Sequence, residues 1–249
     1  MFGRSIADVI VKRAMRRGAS PFLSFIARGE WRAIEVRRSG LLRNTEIFDN
    51  IDYGAGPDPG SPRNADSQRL GVRGTARVSD FARYSMPPLQ CRVLYHLTRL
   101  KRPSCVLELG TCVGISAAYI SAGLRRNGVG RLWTIEGSPA LADIAEVTLN
   151  GLGLDSIATI VRGPFYQMLE PTLAHRRFEL VFIDGHHDGT ATITYFQQIK
   201  ARLEPGAIVL FDDIGWSEGM GSAWSTISAD PQIDKTFSLY RMGFAVLKG

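Results

Sequence analysis

Over the C-terminal two-thirds of the chain, short apolar runs bounded by glycine, proline or charge alternate with longer stretches of helical spacing. The runs predict strands at 104–110, 131–136, 157–162, 178–184, 206–212, 235–240 and 243–248. The stretches between them predict helices at 114–126, 139–151, 165–173, 189–203 and 217–229, with Pro139 at a helix start and Gly206 ahead of a strand. Strictly alternating strands and helices build an α/β doubly wound sheet, here seven-stranded and mostly parallel. Only Arg241-Met242-Gly243 separates the last two runs, so an antiparallel pair is expected to close the sheet.

Upstream the pattern changes. Residues 4–18 set Ile6, Val9, Ile10 and Met15 against Lys12, Arg13, Arg16 and Arg17, a short basic amphipathic helix. Phe22, Leu23, Phe25 and Ile26 extend the apolar character, and Trp31, Ile34 and Val36 resume it. Residues 53–75 are too rich in Gly, Pro and polar side chains to predict a regular element, and such a loop before a ligand-binding domain can serve as a lid. Helical spacing returns from Val78 to Leu100. The expected organisation is therefore a basic helical extension over 1–52, a linker or lid over 53–77, and the α/β domain over 78–249.

Composition narrows the function classes. The 249 residues suit one α/β domain with an extension, and no apolar run approaches the roughly 18 residues that span a bilayer. Basic residues interrupt the N-terminus where a signal peptide would be apolar, and Cys91, Cys105 and Cys112 fit neither a disulfide framework nor a C-x-x-C metal site. A cytoplasmic protein with free thiols is expected. Of the net charge of +6, residues 1–50 supply most, with ten Lys/Arg against five Asp/Glu. Such a patch can meet nucleic acid or an anionic surface. Its apolar residues are as regular as its basic ones, so docking onto the main domain or onto a second copy in a homodimer is expected ahead of nucleic acid.

The candidate chemistry gathers at strand ends. The first strand of the α/β domain runs into Glu108-Leu109-Gly110-Thr111-Cys112-Val113-Gly114-Ile115-Ser116, a glycine turn leading into a helix. Cys112 stands where a dinucleotide fingerprint needs its second glycine, and no Gly-Lys-Ser/Thr is present, so the turn suits a nucleoside without a phosphate cradle. This motif resembles the first motif of class I S-adenosylmethionine (SAM)-dependent methyltransferases, in the form seen in small O-methyltransferases. The resemblance covers 104–248 and implies SAM held by Glu108, Gly110, Thr111, Gly114, Ser116, Glu136, Gly137, Phe165 and Asp184. Glu136 ends the second strand, where a carboxylate can accept hydrogen bonds from both ribose hydroxyls, or can instead face the dipole of the following helix. Phe165, in the turn after the third strand, would edge the adenine ring or belong to the core.

Phe182-Ile183-Asp184-Gly185-His186-His187-Asp188 and Leu210-Phe211-Asp212-Asp213-Ile214 end the next two strands. Three carboxylates at one edge repel unless something positive lies between them, and oxygen ligands suit Mg²⁺ or Mn²⁺. Cation-dependent O-methyltransferases, including those acting on antibiotic sugars, hold a metal between these strand ends, which implies Asp184, Asp212 and Asp213 as ligands. Their second site reads Asp-Asn or Glu-Asp where this chain has Asp212-Asp213. They also carry a catalytic histidine at the offset of His187, with His186 the alternative; Asp184 joins it as the second catalytic residue. The function expected is methyl transfer from SAM to a hydroxyl of a small-molecule acceptor. An RNA-directed protein using the basic N-terminus and a SAM-binding protein without catalysis are the competing readings. Trp216, Met220 and Trp224, at helical spacing, are expected in the core, with Trp216 alternatively walling the acceptor.

Overall fold

In the strand Cys105–Leu109, successive side chains leave the backbone in opposite directions, and both directions lead into a core. Val106 joins one apolar cluster and Leu107 the other, and the same division repeats at Leu180 and Val181 and at Ile208 and Val209. Two buried faces explain why these strands read as unbroken apolar runs. The structure, a computed structural model, describes residues 6–19, 28–60 and 63–249. The expected apolar extension at Phe22, Leu23, Phe25 and Ile26 lies outside the described residues.

In chain order the described elements are α1 (Ile6–Ala19), α2 (Arg28–Arg43), β1 (Ile47–Asp52), α3 (Ala65–Leu70), β2 (Val72–Arg77), α4 (Val78–Tyr84), α5 (Pro88–Lys101), β3 (Cys105–Leu109), α6 (Ile115–Asn127), β4 (Arg131–Glu136), α7 (Pro139–Gly151), β5 (Ala158–Arg162), α8 (Phe165–Leu173), β6 (Phe178–Ile183), α9 (Gly189–Lys200), β7 (Leu203–Phe211), α10 (Glu218–Ser228), β8 (Ile233–Leu239) and β9 (Met242–Leu247). The large sheet runs β5-β4-β3-β6-β7-β9-β8. The first five are mutually parallel, and β9 inserts antiparallel between β7 and β8, so the expected closing pair is present. Chain order reverses on either side of β3, which opens a crevice at the carboxyl ends of β3, β4 and β6.

The segment expected to lack regular structure holds two elements. Asn64 caps α3 by accepting from the Ser67 backbone N–H, and β2 pairs antiparallel with β1 from Ile47↔Arg77 to Asp52↔Val72. The strand has little apolar alternation because most of its side chains are exposed; backbone pairing, not burial, makes it a strand. The Gly/Pro-rich part is confined to the connection between β1 and α3.

α1 packs on α5 and touches β7 and β9, while α2 packs on α4 and α6. Val11, Ala14, Trp31, Ile34 and Leu41 are buried in the same core as β3, whereas Val36 is exposed. Arg38 is buried with them, donating to the Met86 carbonyl at 2.9 Å, and Glu35 accepts from the Tyr119 hydroxyl at 2.7 Å. Thus the chain's own domain covers Val11 and Ala14 fully and Ile10 and Met15 in part, while Val9 of the expected apolar face stays exposed. No helix among the described residues is long and apolar enough to cross a membrane.

Candidate functional site

A cleft of about 640 Å³ opens at the carboxyl ends of the parallel strands, within the range of small-molecule sites. Its floor is set by backbone bonds that carry the sheet ladder past the strand ends. Gly110 N–H donates to the Ile135 carbonyl at 3.0 Å, Asp184 N–H to Leu109 at 2.9 Å, and Asp212 N–H to Ile183 at 2.9 Å. The chain crosses itself closely at this point. A Cβ on Gly110, whose φ is +98°, would lie 1.9 Å from the Asp184 carbonyl oxygen. Glycine is required there for both conformation and space.

Glu136 lines the cleft with a buried carboxylate. One oxygen accepts from the Cys112 N–H at 2.8 Å and the other from the Ser138 N–H at 2.9 Å. A carboxylate has about four acceptor positions, so capacity remains for two ribose hydroxyls. Burial pushes its pKa up to about 7, against the lowering effect of those backbone donors. Cys112, also at positive φ, thereby spends its N–H on Glu136, which explains how the turn does without the second glycine of a phosphate-binding loop.

The other residues expected at the cofactor divide by depth. Gly110, Gly137, Phe165 and Asp184 line the cleft with Glu136; Glu108, Thr111, Gly114 and Ser116 do not. Glu108 is wholly buried beneath the turn, accepting from the Thr134 hydroxyl at 2.6 Å, and Thr134 in turn pairs with Thr111 at 2.6 Å. Burial raises the Glu108 pKa to about 7. Gly114 sits against Ala145 at the start of α6. These four build the turn from below. Phe165 lies over Gly185 and meets Tyr195 edge-on at 5.4 Å, so it is a cleft wall and not interior core.

The cleft's outer wall comes from the segment expected as a linker or lid together with β1, none of whose side chains the sequence singled out. Asn50, Asp52, Tyr53, Arg63, Gln68 and Arg69 line it from β1, α3 and the loop between them. Tyr53 lies on Gly137, where a Cβ would meet its ring at 2.7 Å, and Ser138 donates to Asn50 at 2.7 Å. His186 fastens this wall. Its carbonyl accepts from Ala55 N–H at 2.7 Å, and its ring bridges Gln68 and the Tyr195 hydroxyl. Burial lowers its pKa. With both ring nitrogens engaged, His186 is a fastening and has no lone pair free for an incoming proton.

His187 faces the acids instead. Nε2 lies 3.8 Å from Asp184 Oδ1 and Nδ1 lies 3.7 Å from Asp213 Oδ2, and the ring stands 6.5 Å from that of Trp216. Trp216 precedes α10 and is partly exposed, while Met220 is buried; of that spaced trio, Trp216 is the one that leaves the core. The expected carboxylates do meet at one edge, and burial first, then the neighbouring acids, raises Asp184 and Asp212 to about 7. The positive group among them is Arg241, whose guanidinium reaches Asp212 Oδ2 at 3.1 Å and Asp213 Oδ1 at 3.2 Å. Among the described residues no three His, Cys, Asp or Glu side chains converge as a metal's ligand set. The expected ligands Asp184, Asp212 and Asp213, as arranged here, do not fit a divalent ion.

A family model described as "Methyltransferase domain" matches residues 107–214, the span from β3 to the end of β7 and its acids. A catechol O-methyltransferase of Niastella koreensis is 28% identical over 69% of this chain and 75% of its own length. Another, from Mycobacterium tuberculosis, is 35% identical over 44% of this chain and 47% of its own. The chain carries a methyltransferase domain over this span and is similar to O-methyltransferases. Solved structures agree with the methyltransferase fold: an SAH-bound O-methyltransferase from Bacillus cereus superposes with TM-score 0.59 at 20% identity, covering 75% of this chain and 92% of its own. An SAH-bound methyltransferase from Podospora anserina gives 0.60 at 18% identity, covering 68% and 82%.

Proposed function

We propose that this methyltransferase moves the methyl group of SAM to a hydroxyl of a small-molecule acceptor, with His187 taking the hydroxyl proton. The observation that carries the reading is the placement of a part-exposed imidazole between Asp184 and Asp213, in the same cleft as Glu136. Under this reading Glu136 holds the ribose, and Gly110, Gly137 and Phe165 border the nucleoside. SAM supplies an electrophilic methyl carbon on a positively charged sulfur. The acceptor oxygen forms a bond to that carbon as the carbon–sulfur bond breaks, its electron pair returning to sulfur, while the hydroxyl proton passes to His187. Asp184 and Asp213 flank the ring at 3.8 and 3.7 Å and orient it toward the cleft. The site's first task is alignment, since an in-line approach supplies much of the acceleration. No step runs through a metal ion.

The catechol O-methyltransferase relatives support a hydroxyl on an aromatic ring, and Trp216, Phe165 and Tyr53 offer aromatic surface near the site. The test is methyl transfer by the full-length protein from SAM to catechol and a panel of aliphatic and sugar hydroxyls. His187→Ala should lower turnover by roughly 10²–10⁴-fold and leave SAM binding nearly unchanged. A variant with unaltered turnover removes His187 from the chemistry.

A further inference from the structure

We propose that Arg241 is the resident cation of the acidic strand edge, taking the position at Asp212 and Asp213 expected for a divalent ion, and that the enzyme works without such an ion. The inference rests on the hydroxyl methyl transfer above. Three features of the structure carry it.

The first is register. β9 pairs antiparallel with β7 up to Phe211↔Gly243, so the residues next beyond that pair, Asp212 and Asp213 on one side and Met242 and Arg241 on the other, face one another across the sheet edge. The Ile214 N–H donates to the Arg241 carbonyl at 3.1 Å, tying the loop after β7 to the turn that carries the arginine. Arg241 is held there by backbone bonds, independently of its charge.

The second is charge. Asp212 has no side-chain exposure, and a buried carboxylate without a cationic partner is costly. Arg241 Nη2 meets its Oδ2 at 3.1 Å, and Nε of the same guanidinium lies 3.2 Å from Asp213 Oδ1. A planar guanidinium can serve two carboxylates at once, which one compact cation does only with converging ligands. A divalent ion entering here would displace the guanidinium from a buried partner or sit against a like charge.

The third is the link to His187. Asp213 turns Oδ1 to Arg241 and Oδ2 to His187 Nδ1 at 3.7 Å. Arg241 therefore acts on the proton acceptor through Asp213, as a positioning residue.

The experiment titrates the full-length protein with Mn²⁺ alone, reading free Mn²⁺ by electron paramagnetic resonance, beside SAM binding by calorimetry. Wild type should leave Mn²⁺ free at micromolar concentrations, and its methyl transfer should persist in EDTA. Arg241→Met, which removes the cation, should bind Mn²⁺ roughly 10- to 100-fold more tightly than wild type. Arg241→Lys, which keeps a charge, should stay close to wild type. One micromolar Mn²⁺ site per wild-type chain overturns the proposal whatever the variants do. So does an Arg241→Met protein that binds SAM normally yet takes up Mn²⁺ no better. Loss of SAM binding by wild type would instead sink the methyl-transfer reading, so the two failures are distinct.

Discussion

Glu136 and Glu108 end or nearly end neighbouring strands, carry the same side chain, and do different work. Glu136 opens to the cleft with spare acceptor capacity, so Glu136→Ala should weaken SAM binding by roughly 1.5–3 kcal/mol, the scale of charge-assisted hydrogen bonds. Calorimetry on the folded variant checks this. Glu108 lies under the turn with its pKa raised by burial to about 7 from 4.5. The fold favours its protonated form, so its contribution to stability is full below about pH 4.5 and is lost as the pH rises through 7. Glu108→Gln keeps the neutral shape and should flatten that dependence. The gap in melting temperature between variant and wild type should widen in the variant's favour from pH 5 to pH 8. The sequence pointed to Glu136 for the ribose but placed Glu108 at the cofactor as well, because strand alternation assigns a face, not a depth. The same limit applied to His186 and His187, which sit side by side in a loop with no period to orient them.

The element that changes the picture of the site is the β1–α3–β2 segment. Its glycines and prolines announce a loop, and the loop is real between β1 and α3, yet β1 and β2 pair and α3 is capped. It covers the cleft and is fastened through Gln68, His186 and Tyr195. Gln68→Ala removes one end of that relay and should cost the fastening about 1 kcal/mol. Tryptic cleavage at Arg63 should then quicken several-fold, with SAM restoring protection. Cleavage at the wild-type rate would show that the ring of His186 does not hold this wall. At the other end of the chain, the β8–β9 turn puts Arg241 beside the acids.

At the scale of the molecule, the N-terminal helices are part of the methyltransferase core and not a separate arm. Val11 is fully buried in the cluster shared with β3, while Arg13, two residues on, is exposed. Val11→Asp should destabilise the whole protein by roughly 2–4 kcal/mol, as a charge forced into apolar packing, and Arg13→Ser should change stability by less than about 0.5 kcal/mol. Denaturant melts of the two variants check the contrast; equal midpoints would mean that α1 docks too weakly to share the core. By itself the sequence determined the alternation of apolar runs and helices, the doubly wound sheet, and the strand-end positions of Gly110, Glu136, Asp184 and Asp212. Those follow from local periodicity and from the parallel ladder, which brings every carboxyl end to one edge. Only the tertiary structure decided that Gln68 meets His186 across 118 residues and that Arg241 meets Asp212 across 29. Such pairings depend on how separate elements cross: a hairpin folded over the cleft, and a last strand inserted beside β7. No spacing along the chain encodes where two such segments touch. The charge that balances the acids was therefore legible as a need and became identifiable as Arg241 only once the sheet had closed.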